Sequence, residues 1–449
     1  MDRVRKALKG QRPRSPSYEP LNAEANGLDG DESGPAYAHP AHSSWLNYAI
    51  FLLLGVSMLW AWNMFLAASS YFQKRFSSSP YLLTHFPAYI TSISTITNLA
   101  SVTLLTRLQR SASYPQRIIV SLCLNTVGFT LLATSTTLFR SISEQGYFGF
   151  LMVMVFTASL ATGLCANGVF AYASGFGVPE YTQAIMTGQA IAGVLPCIAQ
   201  IVSVLSVRDA PESAPAQESS KSAFAYFLTA TAVSVVTLVA FLYFSRSHKA
   251  GRSAVETAED LDNAQEVEHA ERKVVGLWTL FKKLRYISMA VFLCFAVTMF
   301  FPIFTQQILS VRPQDTAPKL LKPSCFIPLA FLFWNTGDLF GRLLTGIPQL
   351  ALGHWPRTLF LLSALRLVFI PMYLLCNVRA SGAVIDSDTF YLVVVQFLFG
   401  LTNGYIGSSC MMGAGEWVEK EEREAAGGFM GLMIVGGLTT GSLMSFLAA

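Results

Sequence analysis

The sequence predicts an all-α polytopic membrane protein with about eleven transmembrane helices, grouped as six and five in two bundles. Three observations predict this fold class. Hydrophobic residues make up 52% of the 449-residue chain and charged residues only 13%, about half the ~25% usual in soluble domains. Apolar runs of about 18 residues or more, the length that crosses a bilayer, recur along the chain after residue 45. One long polar connection, 245–285, divides these runs into six and five, an arrangement that suggests two helical bundles around a central path. A soluble fold of this composition would face water with too much apolar surface, so an ordinary soluble enzyme and a disordered protein are excluded. The net charge of +4 is too small to indicate a polyanion partner. No nucleic acid is expected, and the lipid bilayer is the first partner.

Residues 1–45 are polar and rich in Pro, Gly and Ser. They cannot bury enough apolar area to fold alone and read as a disordered cytosolic tail. No short apolar core followed by a small-residue cleavage site precedes the first span, which then serves as its own insertion signal. The N-terminal bundle, 46–244, contains spans near 46–70, 84–106, 116–138, 147–176, 181–206 and 223–244. Only Val178, Pro179 and Glu180 separate the fourth from the fifth, and Pro179 supports the break. The first span holds Leu59-Trp60-Ala61-Trp62-Asn63-Met64-Phe65-Leu66. Its tryptophans are either interfacial anchors or a flat wall on which a planar ring stacks, with Asn63 as a hydrogen-bonding neighbour. Asn98, Asn167 and Gln189 are further amides inside spans. Asn167-Gly168, and Gly188-Gln189 with Gly193, combine an amide with small residues that let backbones approach. Singly each reads as helix–helix glue; together they suggest a polar cavity.

The connection 245–285 begins acidic, Glu256–Glu271, as a candidate solvated helix. It ends in Lys282-Lys283-Leu284-Arg285, either a topology-setting flank or a meeting point with anionic headgroups. The C-terminal bundle, 286–449, contains spans near 286–308, 325–346, 356–377, 389–413 and 425–447. In the eighth span Asn335, Asp338 and Arg342 stand at i, i+3 and i+7 and share one helix face. A mid-span charge costs about 2.5–3.5 kcal/mol, so two on one stripe require a partner, a water-filled cavity or a substrate. The competing explanation is an Asp338–Arg342 ion pair that only fixes packing. Such a pair needs no Asn on the same face, and apolar residues would pack as well. Arg366, in the ninth span ahead of Pro371, either pairs with Asp338 and leaves Arg342 to a substrate, or the reverse, or is structural. Gln306 and Asn403-Gly404 add amides in the seventh and tenth spans, and Gly427, Gly431, Gly437 and Gly441 give the last a packing stripe. Glu421, Glu422 and Glu424 precede that span and suit a helix N-terminus.

An odd number of spans puts the termini on opposite sides. About 20 Lys and Arg fall on the side of the tail and about 9 on the other, which places the N-terminus in the cytosol. The seven cysteines are scattered through apolar runs without a C-x-x-C pair and read as small buried residues rather than metal ligands. There is no H-E-x-x-H, P-loop or G-x-S-x-G. No enzyme and no cofactor is expected.

Several of these stretches together resemble the equilibrative nucleoside transporter family of solute carriers, in a fungal-like form. Gly55–Ala68 resembles its first-span motif ending in Pro-Trp-Asn, with Ala61 in place of the proline. Tyr181–Gln189 resembles the start of its fifth span, Ser222–Phe227 its sixth and Phe301-Pro302 its seventh. Asn335-x-x-Asp338-x-x-x-Arg342 matches the eighth-span signature, Arg366–Pro371 the ninth and Asn403-Gly404-Tyr405 the tenth. The resemblance implies eleven spans, a cytosolic N-terminus and a six-plus-five arrangement related to the major facilitator fold. It implies that Trp62 lines a nucleobase pocket with Asn63 beside it, and that Asp338 and Arg342 contact the nucleoside at its ribose, supported by Asn335. Leu59, Leu66 and Leu438 would be apolar walls and Asn167 a base-reading amide. Arg366, Gln189, Pro302 and Asn403 would serve structure and gating.

The chemistry of a nucleoside suits these residue types. An aromatic wall and an amide fit a flat base, a carboxylate accepts hydrogen bonds from adjacent hydroxyls, and a guanidinium donates a rigid fork. The expected function is facilitative transport of nucleosides, or nucleobases, by alternating access. The alternatives are a facilitator of another polar solute such as a sugar or drug, and a non-transporting membrane receptor. The protein is expected to be a monomer in the plasma membrane or the vacuolar or lysosomal membrane.

Overall fold

A computed structural model describes residues 45–109, 113–139, 142–206, 216–259, 275–313 and 317–446. The tail up to residue 44 and the acidic stretch beyond Glu259 lie outside the described residues. The described chain is almost entirely helical: α1 (Trp45–Ala67), α2 (Ser69–Arg75), α3 (Pro80–Arg107), α4 (Tyr114–Leu138), α5 (Glu144–Gly175), α6 (Pro179–Ser206), α7 (Ala216–Glu259), α8 (Leu277–Thr298), α9 (Phe300–Gln307), α10 (Pro323–Leu344), α11 (Pro356–Leu365), α12 (Phe369–Leu374), α13 (Leu398–Gly413) and α14 (Arg423–Phe446). Proline opens α3, α6, α10 and α11, where its missing N–H is no loss. Ser79 and Ser143 cap α3 and α5 with their hydroxyls.

Among the described residues ten helical stretches are long and apolar enough to cross a membrane, one fewer than predicted. The stretch predicted at 325–346 forms α10, whose 22 residues reach about 33 Å. It does not number among the ten: Asn335, Asp338 and Arg342 dilute its apolar character. The connection predicted over 245–285 is shorter at both ends. Helix α7 runs on to Glu259, and α8 begins at Leu277, so the Lys282–Arg285 cluster is helical.

Two spans are interrupted near a proline, and one is unbroken where alanine stands in place of a proline. Pro302 cannot donate to the Thr298 carbonyl four residues earlier, and the seventh span breaks at Met299 between α8 and α9. Pro371 acts in the same way on the ninth span, which tightens to a 3₁₀ turn over Arg366–Val368 between α11 and α12. With Ala61 in place of a proline, α1 runs unbroken from Trp45 to Ala67. The tenth span opens as a π-helix over Phe390–Phe397 before α13, and the buried Gln396 there bonds to Thr305, Tyr373 and Tyr391.

The apolar interior is divided unequally. One large cluster draws on α1, α4, α5, α6 and α7 together with α8, α11, α13 and α14, and includes Phe51, Tyr181, Met186, Phe244, Leu284, Cys410, Trp417 and Phe429. At the other end of the helices there are two separate clusters. One, around Phe65, Phe72, Phe129 and Phe227, uses only the first six predicted spans and α2. The other, around Phe304, Phe326, Tyr373 and Phe399, uses only the last five. The two halves therefore share a core at one end and keep their own at the other.

Candidate functional site

Two glycine seams set the helices that carry the polar residues. Helices α10 and α13 touch along Gly337 and Gly341 on one and Gly400 and Gly404 on the other. A Cβ at any of these four would fall on a backbone carbonyl of the opposite helix: Phe397, Leu401, Trp334 and Asp338 respectively. Helices α1 and α6 meet in the same way at Gly55 and Gly188. Without a large hydrophobic drive between helices in lipid, such close backbone approach supplies the association. It also brings short polar side chains within reach of each other.

Asp338 and Arg342 are buried, and Arg342 Nε donates to Asp338 Oδ2 at 2.8 Å. The Asp338–Arg342 pair considered from the spacing is present. Arg366 does not join it directly. The Arg342 guanidinium reaches out of α10 to α6, donating through Nη1 to the Met186 carbonyl at 2.5 Å and to Gln189 Oε1 at 3.3 Å. The other Asp338 oxygen, Oδ1, accepts from Asn403 Nδ2 on α13 at 2.7 Å. Asn403 Oδ1 accepts from Thr298 Oγ1 on α8 at 2.7 Å, and Thr298 Oγ1 accepts from Arg366 Nη2 at 3.1 Å. Gln189, Arg342, Asp338, Asn403, Thr298 and Arg366 thus form one hydrogen-bonded chain across α6, α10, α13, α8 and the ninth span. A fixed chain of this kind presents a carboxylate and a guanidinium in a defined orientation, which suits a ligand with hydroxyl and amide groups.

The other expected binding residues fall into four groups. Asn335 and Asn63 flank the chain from two sides of α6. Asn335 donates to its own helix at the Phe331 carbonyl, 2.9 Å, and lies against Gly193 and Cys197. Asn63 donates to the Ala192 carbonyl at 2.7 Å. Gln189 also reaches Met58 Sδ at 3.7 Å, so α6 is the helix that links α1 to α10. On α1 itself Leu59, Trp62 and Leu66 share a face. Trp62 is half-buried against the Phe65 cluster and Leu66 is exposed. Trp60 points elsewhere, its Nε1 donating to Thr229 on α7. Leu438 on α14 is half-buried beside the shared core. Asn167 stands apart: it accepts from Arg117 Nη1 and donates to Thr106 at 3.1 Å, with no bond to the Asp338 chain.

Sequence reading missed several contributors. Thr298 stands four residues before Pro302, a position whose carbonyl is freed, and Cys294 lies one turn before it; that spacing was the available signal. Gln183, which donates to the Arg342 and Leu343 carbonyls at 3.2 and 3.5 Å, carried none beyond being an amide in a span. The Met186 carbonyl is backbone and has no signature in a sequence. Among the described residues no group of His, Cys, Asp and Glu could hold a metal.

Comparison with known proteins bears on the same region. The model of a family described as nucleoside transporter matches residues 151–449. The chain is 29% identical over 446 residues to the nucleoside transporter FUN26 of Saccharomyces cerevisiae, covering 90% of this chain and 84% of that one. It is 28% identical over 468 residues to the equilibrative nucleoside transporter 1 of Rattus norvegicus, covering 89% and 96%. Among solved structures it resembles the human organic anion transporter MFSD10, with a TM-score of 0.53 at 12% identity over 89% of this chain and 92% of that one. It also resembles the E. coli fucose:proton symporter FucP, with a TM-score of 0.52 at 12% identity over 90% and 96%. At such low identity these two likenesses speak for a major facilitator fold alone.

Proposed function

The chain belongs to the nucleoside transporter family, and on that premise we propose that it carries nucleosides across a membrane by facilitated diffusion, through alternating access of one central site. It is an integral multi-pass membrane protein. The single observation that supports this site best is the buried Asp338–Arg342 pair, whose remaining partners are the amides Gln189 and Asn403 and the Met186 carbonyl. In this reading Asp338 and Arg342 take the ribose hydroxyls, Trp62 stacks on the base with Asn63 beside it, and Leu59, Leu66 and Leu438 wall the pocket. Asn335 steadies the α6–α10 seam. Asn167, tied to Arg117 and Thr106, serves the end of the bundle rather than the base. Gln189, Asn403 and Arg366 hold the charged pair, and Pro302 sets the bend of the seventh span.

Residues 46–244 and 286–449 act as two bundles of six and five spans that rock about the site. The core shared at one end and split at the other corresponds to a state closed where α1 begins. With the N-terminus in the cytosol, that is the cytosolic side, and the site opens outward. The protein works as a monomer in the plasma membrane or a vacuolar or lysosomal membrane, and performs no catalysis.

The test is uptake by purified protein in liposomes, with a panel of labelled nucleosides, nucleobases and sugars and a varied pH gradient. Saturable nucleoside entry that stops at equal concentrations and is not displaced by sugars is expected. Saturable entry of sugars but not nucleosides, or no solute flux at all, would overturn the proposal.

A further inference from the structure

Arg366 is the largest fully buried side chain among the described residues, and none of them offers it a carboxylate within ion-pair distance. Its guanidinium is instead spent on neutral groups. Nη1 donates to the Cys294 carbonyl and to Cys294 Sγ at 2.9 Å. Nη2 donates to Thr298 Oγ1 at 3.1 Å and to the Phe399 carbonyl at 3.5 Å, and Nε donates to Thr402 at 3.3 Å. The Phe399 ring lies 4.6 Å from its central carbon.

The proton count in this cluster is restrictive. A guanidinium only donates, so it takes a lone pair from Cys294 Sγ and another from Thr298 Oγ1. Each of those atoms has one hydrogen left to give. Both lie within reach of the same acceptor, Asn403 Oδ1, at 3.4 Å from the thiol and 2.7 Å from the hydroxyl. The Thr298 hydroxyl also lies 2.9 Å from the Cys294 carbonyl, and the shorter of its two contacts is the one to Asn403 Oδ1. With its oxygen receiving these hydrogens, the Asn403 amide must turn its NH₂ towards Asp338. The opposite flip would set the amide oxygen 2.7 Å from a carboxylate oxygen of Asp338, so the network assigns the orientation.

We propose that Arg366 is a positioning residue for the substrate site: through Thr298 and Cys294 it fixes the amide of Asn403, and through Asn403 it orients the Asp338 carboxylate. Arg342 holds Oδ2 and Asn403 holds Oδ1, so the carboxylate cannot rotate, and its remaining lone pairs keep one direction towards a ligand's hydroxyls. Thr298 and Cys294 are working parts of this relay rather than packing residues. The inference rests on the proposed role of Asp338 in binding.

The experiment is equilibrium competition binding of labelled nucleoside to purified, folded full-length variants in detergent, with Asp338→Asn measured alongside. Thr298→Val keeps the shape and removes the hydroxyl. It should weaken binding about 3- to 10-fold, the worth of one hydrogen bond, and the Cys294→Ala/Thr298→Val double variant should weaken it further. Thr298→Ser, which restores the hydroxyl, should recover most of the affinity, a rescue that a packing role would not give. Arg366→Lys should resemble the double variant, because one ammonium cannot reproduce the fork. Parent-like affinity in Thr298→Val and in the double variant, with Asp338→Asn inactive, would overturn the relay and leave the site standing. Equal losses in Thr298→Val and Thr298→Ser would overturn it as well. Normal binding by Asp338→Asn would instead remove the site itself.

Discussion

Gly404→Ala places a single methyl group in the seam that holds the site together. A Cβ at Gly404 would stand 2.8 Å from the carbonyl carbon of Asp338 and 3.0 Å from the Arg342 backbone nitrogen. Non-bonded carbons settle at about 3.5–4.0 Å, and the Asp338 carbonyl oxygen stands closer still, so α10 and α13 must part by at least about 1 Å at this level. All three contact atoms, the Asp338 carbonyl oxygen and carbon and the Arg342 nitrogen, are backbone and cannot swing aside. The Asn403–Asp338 hydrogen bond, 2.7 Å long, would stretch to about 3.7 Å, outside bonding range. A hydrogen bond to a charged group contributes about 1.5–3 kcal/mol, so nucleoside affinity should fall roughly 10- to 150-fold. Gly128→Ala is the matched control: no atom lies within 4 Å of its added methyl, and mid-helix Ala is favoured over Gly by about 0.5–1 kcal/mol. The assay is competition binding to detergent-solubilised protein that elutes as a single folded species. Unchanged affinity in folded Gly404→Ala would refute the claim that this seam orients Asp338.

Asp338→Asn should nearly abolish uptake in liposomes, and it should also lower the thermal midpoint. Removing one partner of a buried ion pair costs about 3–5 kcal/mol, and Arg342 would keep only the Met186 carbonyl and Gln189. Near-normal uptake by well-folded protein would dismiss the assignment. Arg342→Lys should bind nucleoside poorly, because a point charge cannot serve Asp338, Met186 and Gln189 together; retained affinity in the same competition assay would take Arg342 out of the site. Trp62→Ala should weaken binding by about 1–3 kcal/mol, the range for base–aromatic stacking, with partial recovery in Trp62→Phe. Trp60→Ala, whose ring faces Thr229 on α7, should have little effect, and equal small losses at both positions would mean that neither ring stacks on the base.

Much of the site was legible because its residue types are costly in lipid. Asn335, Asp338 and Arg342 stood out on one face of an apolar run, and Gln189, Asn403 and Arg366 as polar groups inside others. Their partners were not legible. The spacing left Asp338 free to pair with Arg342 or Arg366, and the fold chose Arg342 directly and Arg366 through Asn403 with Thr298 and Cys294. Asn167 had the same signature as Asn403, an amide followed by glycine, yet it bonds to Arg117 and Thr106. The two sites differ only in which helix lies opposite.

The membrane class, the approximate spans and the polar stripe of the eighth span were determined by the sequence itself. Each depends on composition or on residues within a few turns of one helix, and apolar length and the 3.6-residue repeat act locally. Pro302 and Pro371 interrupt their spans, whereas Pro87, Pro196 and Pro328 lie inside unbroken helices. The eighth span shows the limit: the stripe that made it conspicuous also kept it from qualifying as a membrane helix by hydropathy. Only the tertiary structure decided that α6 links α1 to α10, that Gln183 and the Met186 carbonyl bind the end of α10, that the core is shared at one end and split at the other, and which way the Asn403 amide points. Those outcomes depend on the axial register and separation of helices far apart in the chain. Register is set by where glycines let two backbones touch, and a shift of one residue along either helix would give every side chain a different partner.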